Sequence, residues 1–252
     1  MNAAPHDGQS EPPVSRNSPV TTAVGEDRTM HTQSVDSPPR PPEHRTAARA
    51  TGVLALLSLL LLALVVAKWH PLLTVDGDIA DTTHRWAVDE PGLTHVFRIL
   101  TDWVWDPWAM RLLAALAAIW LVWRRHAHWI AVWLIVTCAV GTLVQQVLKA
   151  AVGRKRPVWP DPVDTAHFAA YPSGHALTAT VVCGLLLWLL HHYGVGRAVR
   201  FTALSLAVIS VVGVGLTRIW LGVHWPSDVL GGWLLGALLV ALAVLVERRY
   251  RR

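Results

Sequence analysis

The sequence predicts an all-α protein, a six-span transmembrane helix bundle with a disordered N-terminal tail. Three observations carry this reading. Hydrophobic residues make up 53% of the 252-residue chain and charged residues only 15%, whereas a soluble domain carries about a quarter charged residues. Polarity is segregated: Met1 to about Arg49 is polar and Pro-rich, and from Thr51 onward apolar runs alternate with short polar breaks. Most of those runs approach the ~20 residues that a helix needs to cross a ~30 Å hydrocarbon layer. One membrane-embedded domain over 50–252 is therefore expected behind a tail over 1–49, not two globular domains.

The tail contains Pro12-Pro13, Pro38-Pro39 and Pro41-Pro42 among Ser, Thr and Asp. Such a segment buries too little apolar surface to offset its ordering entropy, so disorder is expected. The first apolar run starts some fifty residues in, which reads as a retained span and not as a cleaved signal peptide. Span one is expected from about Thr51 to Ala67, closed by Lys68 and Trp69 as interfacial anchors. His70 to Trp105 is the longest polar stretch inside the domain. Within it Leu93, Val96, Phe97 and Leu100 recur at helical spacing, which predicts a short amphipathic helix packed on the bundle. Asp106-Pro107 opens span two as an N-cap followed by Pro at the first helical position. That span runs to about Trp123 and holds Arg111, expected to snorkel to the near interface. Spans three to six are expected at Trp129 to Leu148, Ser173 to Leu190, Val199 to Leu216 and Asp228 to Val246. Glu247 to Arg252 is a basic end.

Tryptophan favours the membrane–water interface, and the fourteen Trp residues fit these limits. Trp69, Trp103, Trp105, Trp108, Trp220 and Trp225 fall near one set of span ends. Trp120, Trp123, Trp129 and Trp188 fall near the other.

Six spans place both termini on one side. Counting Lys and Arg near the span ends gives eleven on the side of the termini and nine on the other. Setting aside Lys149, Arg156 and Arg218 as functional leaves eleven against six. The termini are then cytoplasmic, with the opposite face outside a cell (plasma) membrane.

A net charge of +5 and a pI near 9.8 do not imply nucleic acid, because the cations sit in short clusters between apolar runs and form no basic stripe with interleaved aromatics. Cys138 and Cys183 both lie in apolar runs and read as small core residues. Two cysteines support neither a disulfide framework nor a zinc site, and no metal or cofactor is expected.

Three polar clusters break the apolar pattern, and all fall on the face opposite the termini. They are Lys149 to Pro157 (Lys-Ala-Ala-Val-Gly-Arg-Lys-Arg-Pro), Pro172 to His175 (Pro-Ser-Gly-His), and Arg218 to Asp228. Lys149, Arg156 and Arg218 supply dense positive charge, and guanidinium groups grip phosphate through paired hydrogen bonds. Ser173 and Gly174 sit at a helix start, where free backbone N–H groups face any bound anion. His175 and His224 remain for phosphoryl transfer, which without a metal needs a nucleophile and a proton donor. Asp228 follows His224 by four residues, a spacing that faces two side chains together on a helical turn. A carboxylate on one imidazole nitrogen makes the other more nucleophilic. His224 with Asp228 is therefore the expected nucleophile pair, and His175 the acid.

These clusters resemble the three-part signature of the type 2 phosphatidic acid phosphatase superfamily. Lys149, Arg156 and Pro157 match its first part, Pro172 to His175 its second, and Arg218, His224 and Asp228 its third, with Thr217 where Ser is usual. The resemblance covers about Leu54 to Val246. It implies a metal-independent phosphatase that removes a terminal phosphate from a membrane lipid through a phosphohistidine. Phosphatidic acid, phosphatidylglycerol phosphate and polyprenyl diphosphate are the candidate substrates. It implies that Lys149, Arg156, Ser173, Gly174 and Arg218 bind phosphate, that His224, His175 and Asp228 are catalytic, and that the site faces outside. The partners expected are thus the lipid substrate and the bilayer, and not nucleic acid; oligomeric state is left open.

Three alternatives are weighed against this. An anion transporter or channel would place ionisable residues along the spans, whose centres lack charge here. A vanadate-dependent haloperoxidase has a similar anion site but is a soluble protein. An inactive membrane scaffold would not need every matched position intact. Arg154 and Lys155 read equally well as a widening of the positive funnel and as solvated loop charges. Asp161, Asp164 and His167 fit loop solubility better than headgroup reading, and Gln145 and Gln146 read as interhelical hydrogen-bonding residues.

Overall fold

The computed structural model describes residues 42–250, with side chains from Thr46 onward. Most of the expected Pro-rich tail, and the last two residues of the basic end, lie outside the described residues.

Among the described residues the chain is all-helical, with eight α-helices and one π-helical turn. They are α1 (Pro42–Val66), α2 (His70–Asp89), α3 (Pro91–Ile99), a π turn (Leu100–Val104), α4 (Pro107–Arg125), α5 (His128–Val152), α6 (Gly174–His192), α7 (Arg197–Trp220) and α8 (Pro226–Tyr250). Six segments are long and apolar enough to cross a membrane: Thr46–Val66, Pro91–Arg125, His128–Val152, Gly174–His192, Arg197–Trp220 and Pro226–Tyr250. The protein is a multi-pass integral membrane protein.

Several boundaries differ from expectation for identifiable reasons. Pro42 to Arg49, expected in the tail, are helical, since nothing after the Pro pair breaks a helix that the apolar run propagates. The polar stretch after span one is mostly helix α2. Its buried stripe is Asp76, Ala80, His84 and Ala87, so helical periodicity is carried by small and polar residues and not by aliphatics. The amphipathic segment is α3, packed against α7 with Phe97 edge-on to Trp220. Asp106 caps α4 as expected, its Oδ1 accepting from the N–H of Trp108 at 2.7 Å. Arg111 does not simply snorkel. Its guanidinium lies 5.3 Å from the Trp108 ring, while its Nε is buried without a partner.

Helix α6 is the axis of the bundle, packing against α4, α5, α7 and α8, while α1 packs on α8. Leu121, Leu134, Leu177 and Leu185 are almost wholly buried in one core cluster along it. Trp105, Met110, Ala179, Val182 and Val214 form a second cluster nearer the start of α6. Trp105, expected in an interfacial belt, is therefore core, and a Cβ on Gly213 would strike its ring. By contrast Trp103, Trp108 and Trp123 are exposed on the outer surface, as interfacial residues are. Helices α6 and α8 meet through glycine. A Cβ on Gly232 would lie 2.7 Å from the Ser173 carbonyl oxygen, and one on Gly236 would lie 2.7 Å from Thr180 Cβ. Such small residues four apart let two membrane helices approach backbone to backbone. This contact fixes where α6 begins relative to α8, and hence Ser173 relative to Asp228.

Candidate active site

The site gathers where α5, α6, α7 and α8 end on one face. Lys149 is in the last turn of α5, Ser173 is the N-cap of α6, and Gly174 and His175 lie in its first turn. Arg218 is in the last turn of α7, and Asp228 is in the first turn of α8. Arg156 comes from the loop after α5, and His224 from the turn between α7 and α8. Lys149, Arg156, Gly174, His175, Arg218 and His224 line one open cavity of about 420 Å³. Ser173 and Asp228 are fully buried behind it. The three sequence clusters thus meet in space.

His224 is held from both ring nitrogens. Its Nδ1 faces Asp228 Oδ2 at 3.4 Å, and its Nε2 lies 3.1 Å from Arg156 Nη1. A guanidinium only donates, so Nε2 accepts and the ring proton sits on Nδ1, facing the carboxylate. Burial pushes the His224 pKa well below 6.5, and the charges of Arg156, Arg218 and Lys149 push the same way. The imidazole is therefore neutral at pH 7, with its lone pair on Nε2. The pairing with Asp228 does not arise on a helical turn as expected, since His224 precedes α8. The turn Leu221 to Trp225 folds back instead, with Asp228 Oδ2 accepting from the Trp225 N–H at 2.9 Å.

Asp228 is itself held by residues that sequence reasoning did not assign to the site. Arg154 Nη1 donates to Asp228 Oδ1 at 2.7 Å, and Arg154 Nη2 donates to Asp76 Oδ2 at 2.7 Å. Asp76 also accepts from the Ser227 N–H at 2.8 Å and from its hydroxyl at 2.5 Å. A chain runs from α2 through Asp76, Arg154 and Asp228 to His224. Arg154 is thus a structural bridge, neither a widening of the positive funnel nor a solvated loop charge. The available signal was a single one: a buried arginine inside a membrane domain needs a carboxylate, and α2 supplies Asp76.

The three cations already have partners in the loop between α5 and α6. Lys149 Nζ donates to the Ala169 carbonyl. Arg156 donates to the carbonyls of Phe168 (3.0 Å) and His167 (3.1 Å) and to that of Val223. Arg218 faces Asp164 at 3.8 Å, and its Nε has no partner. Burial lowers the Arg156 pKa from its ordinary value, with Asp228 and Asp164 opposing. Asp164 and His167, expected as loop solubility residues, therefore line the site.

At the start of α6 the first helical bond runs from the Leu177 N–H to the Ser173 carbonyl. That leaves the N–H groups of Gly174, His175 and Ala176 without intrahelical acceptors. The Ser173 hydroxyl makes no cap bond and has no partner. A side chain on Gly174 would lie 2.6 Å from Gln145 Nε2, so the Gln145 amide would have to move aside for it. Gln145 lies against this turn, with its Oε1 unpartnered, and is not spent on an interhelical bond through that oxygen. The Thr217 hydroxyl donates to the Val214 carbonyl at 2.9 Å and lies 3.2 Å from Thr101 Oγ1, outside the cavity lining. Among the described residues, no group of three or more His, Cys, Asp or Glu could hold a metal ion.

The arrangement can hold a tetrahedral oxyanion between cations and helix N–H groups, with a neutral imidazole beside it. Comparison with known proteins gives the same direction. A family model described as PAP2 superfamily matches residues 130–252. Decaprenylphosphoryl-5-phosphoribose phosphatase of Mycobacterium tuberculosis is 36% identical over 160 residues, covering 62% of this chain and 81% of that protein. Phosphatidylglycerophosphatase B of Bacillus subtilis is 27% identical, covering 78% of this chain and 96% of that one. Undecaprenyl-diphosphatase of Sulfolobus acidocaldarius is 29% identical, covering 58% and 65%. The crystal structure of a PAP2-type phosphatidylglycerolphosphate phosphatase from Bacillus subtilis superposes with a TM-score of 0.71 at 25% identity, covering 80% of this chain and 98% of that one.

Proposed function

The chain belongs to the PAP2 superfamily, and from that premise we propose that it is a lipid phosphatase that removes a terminal phosphate from a membrane lipid through a phosphohistidine at His224. The observation that carries this is the pair of contacts on the His224 ring, from which the tautomer follows. The proton is on Nδ1 toward Asp228, and Nε2 presents its lone pair beside Arg156 at the cavity. Phosphatase activity on lipid and polyprenyl phosphates is what the similar proteins are named for. A cavity at one end of a membrane bundle suits a phosphate whose tail stays in the bilayer.

In this reading the phosphate displaces the loop carbonyls from Lys149 and Arg156 and the Asp164 carboxylate from Arg218, and it draws Arg156 Nη1 off His224 Nε2, which frees the ring lone pair. The N–H groups at the start of α6 and the Ser173 hydroxyl, unpartnered in the protein alone, complete the cradle. His224 Nε2 attacks phosphorus, and the bond from phosphorus to the lipid oxygen breaks. The leaving oxygen takes a proton from His175, whose protonated form is favoured by the bound phosphate dianion. Asp228 stabilises the cationic phosphoimidazole. Water then attacks phosphorus and gives a proton to His175, and phosphate leaves with His224 neutral again. The reaction needs no metal. The charge bias of the spans supports cytoplasmic termini and a site on the outer face, which cysteine labelling of the loop between α5 and α6 from outside the cell tests directly.

The function is tested by phosphate release from phosphatidic acid, phosphatidylglycerol phosphate, a polyprenyl diphosphate and a soluble phosphate ester. Detergent-purified protein is used with EDTA present, and His224→Ala as the blank. Turnover of a lipid by wild type alone supports the reading. Equal turnover by the variant, or none by either, removes it.

A further inference from the structure

A second cavity, of about 570 Å³, lies between the ends of α1 and α5 and the first turns of α2. Among the described residues it shares no lining residue with the catalytic cavity. Its size is within the ~300–1,000 Å³ usual for ligand sites.

The lining changes character where two spans end. The apolar segments Thr46–Val66 and His128–Val152 stop here, and Val65, Val66, Ala151 and Val152 form the apolar part of the wall. Just past those ends come Lys68 on one side and Arg154 and Lys155 on the other. The apolar wall thus reaches the edge of the hydrocarbon layer, and the cations stand at the level of the headgroups. A phospholipid has its parts in the same order, chain and then charge. Val66, Lys68, Ala151 and Lys155 are all exposed, so the pocket is open on the outside of the bundle.

Charge narrows the occupant further. Asp76 is the only carboxylate in the lining, and its oxygens are spent on Ser227 and Arg154. Arg154 is in turn spent on Asp76 and Asp228. By contrast, Lys68 and Lys155 have no side-chain hydrogen bond or ion pair among the described residues. Two uncompensated ammonium groups at the end of an apolar groove suit an anionic headgroup. A free phosphate would satisfy the lysines but leave the apolar wall uncovered, whereas a lipid covers both.

The back of the pocket is the support of Asp228. Asp76 and Arg154 line it, and so does Trp225, whose N–H donates to Asp228 Oδ2 and whose ring lies 5.7 Å from the Arg154 guanidinium. An occupant therefore packs against groups that hold the catalytic carboxylate without entering the catalytic cavity. Independently of the phosphatase reading, we propose that this pocket is an accessory site for an anionic phospholipid that is not a substrate. Its phosphodiester sits between Lys68 and Lys155, and an acyl chain covers Val66 and Val152. Because it binds only the folded protein, it stabilises the fold.

The test titrates the whole chain, washed free of lipid in detergent, with phosphatidylglycerol, phosphatidylcholine and inorganic phosphate. Bound lipid is read by native mass spectrometry, alongside the unfolding temperature. Phosphatidylglycerol is the probe because it carries a phosphodiester and no terminal phosphate to remove. A basic residue beside an anionic headgroup favours it by about fivefold, so wild type should hold one phosphatidylglycerol at least about tenfold more tightly than phosphatidylcholine. Its unfolding temperature should rise with it. Lys155→Gln alone should lose about fivefold in affinity for phosphatidylglycerol, and the double variant with Lys68→Gln should lose the preference altogether. Both lysines are exposed and unpaired, so the variants should unfold at the wild-type temperature in the absence of lipid. Excess inorganic phosphate should leave the bound lipid in place. Equal affinity for the two lipids, or a preference that both variants keep, overturns the proposal. Displacement of the lipid by inorganic phosphate overturns it too, because that places the lipid in the catalytic cavity or reduces the pocket to a free-anion site.

Discussion

Replacing Asp76 by Asn tests whether the bridge from α2 governs His224. Asp76 is 2% exposed and accepts three hydrogen bonds, two from Ser227 and one from Arg154. Asparagine keeps the shape but removes the charge and turns one acceptor into a donor facing donors. Losing a charge-assisted bond costs ~1.5–3 kcal/mol, and stranding a buried partner costs ~3–5 kcal/mol. The guanidinium of Arg154 keeps Asp228, which moderates the loss, so a net destabilisation of ~2–4 kcal/mol is expected. Released from one anchor, Arg154 shifts and carries Asp228 with it. A displacement of about 1 Å at a catalytic group costs ~100-fold in rate, so kcat should fall by ~10–100-fold with little change in KM. The assay is phosphate release in detergent over a pH series, alongside thermal unfolding. Arg154→Lys, which keeps charge but not the two-pronged bridge, should show the same kcat loss. A stability loss without a change in kcat or in the pH profile of either variant would refute the positioning role and leave Asp76 merely structural.

Two further perturbations follow from the same geometry. Gly232→Ala places a methyl 2.7 Å from the Ser173 carbonyl, so it should separate α6 from α8, lower the unfolding temperature and reduce kcat; an unchanged unfolding temperature would contradict the close approach. Burial and neighbouring cations hold the His224 pKa well below 6.5. The unfolded chain therefore binds a proton as pH falls through 6.5 while the folded protein does not. Stability is full above pH ~6.5 and declines below it by up to ~1.4 kcal/mol per pH unit. His224→Asn should remove that share of the decline between about pH 6.5 and 5, as read from unfolding temperatures.

The spans and the phosphate-facing residues could be read from sequence because each is a local signal. Apolar runs state their own length, Asp106-Pro107 marks its own helix start, and each of the three clusters is complete within about eleven residues. What escaped detection depends on long-range pairing. Asp76 lies far from Arg154 and Asp228 in sequence, and its helix buries a stripe of Asp, Ala, His and Ala that hydrophobic periodicity does not detect. Asp164 looks like any loop carboxylate until the loop folds over Arg218. Trp105 shares its composition with the belt tryptophans and differs only in facing Gly213. The α2 helix and the carboxylates of the cavity are therefore properties of the fold, whereas the cation and histidine set is already a property of the chain.

The central claim, covalent catalysis by His224, is tested most directly by trapping the intermediate. Protein mixed with a lipid carrying radiolabelled terminal phosphate is quenched in base, where phosphohistidine survives, and the labelled peptide is mapped. The proposal predicts one phosphoryl group on His224 in wild type, more of it in His175→Ala supplied with a substrate whose leaving group needs no proton, and none in His224→Ala. Label on a different residue, or full turnover in wild type with no protein-bound phosphate on any quench timescale, would contradict it.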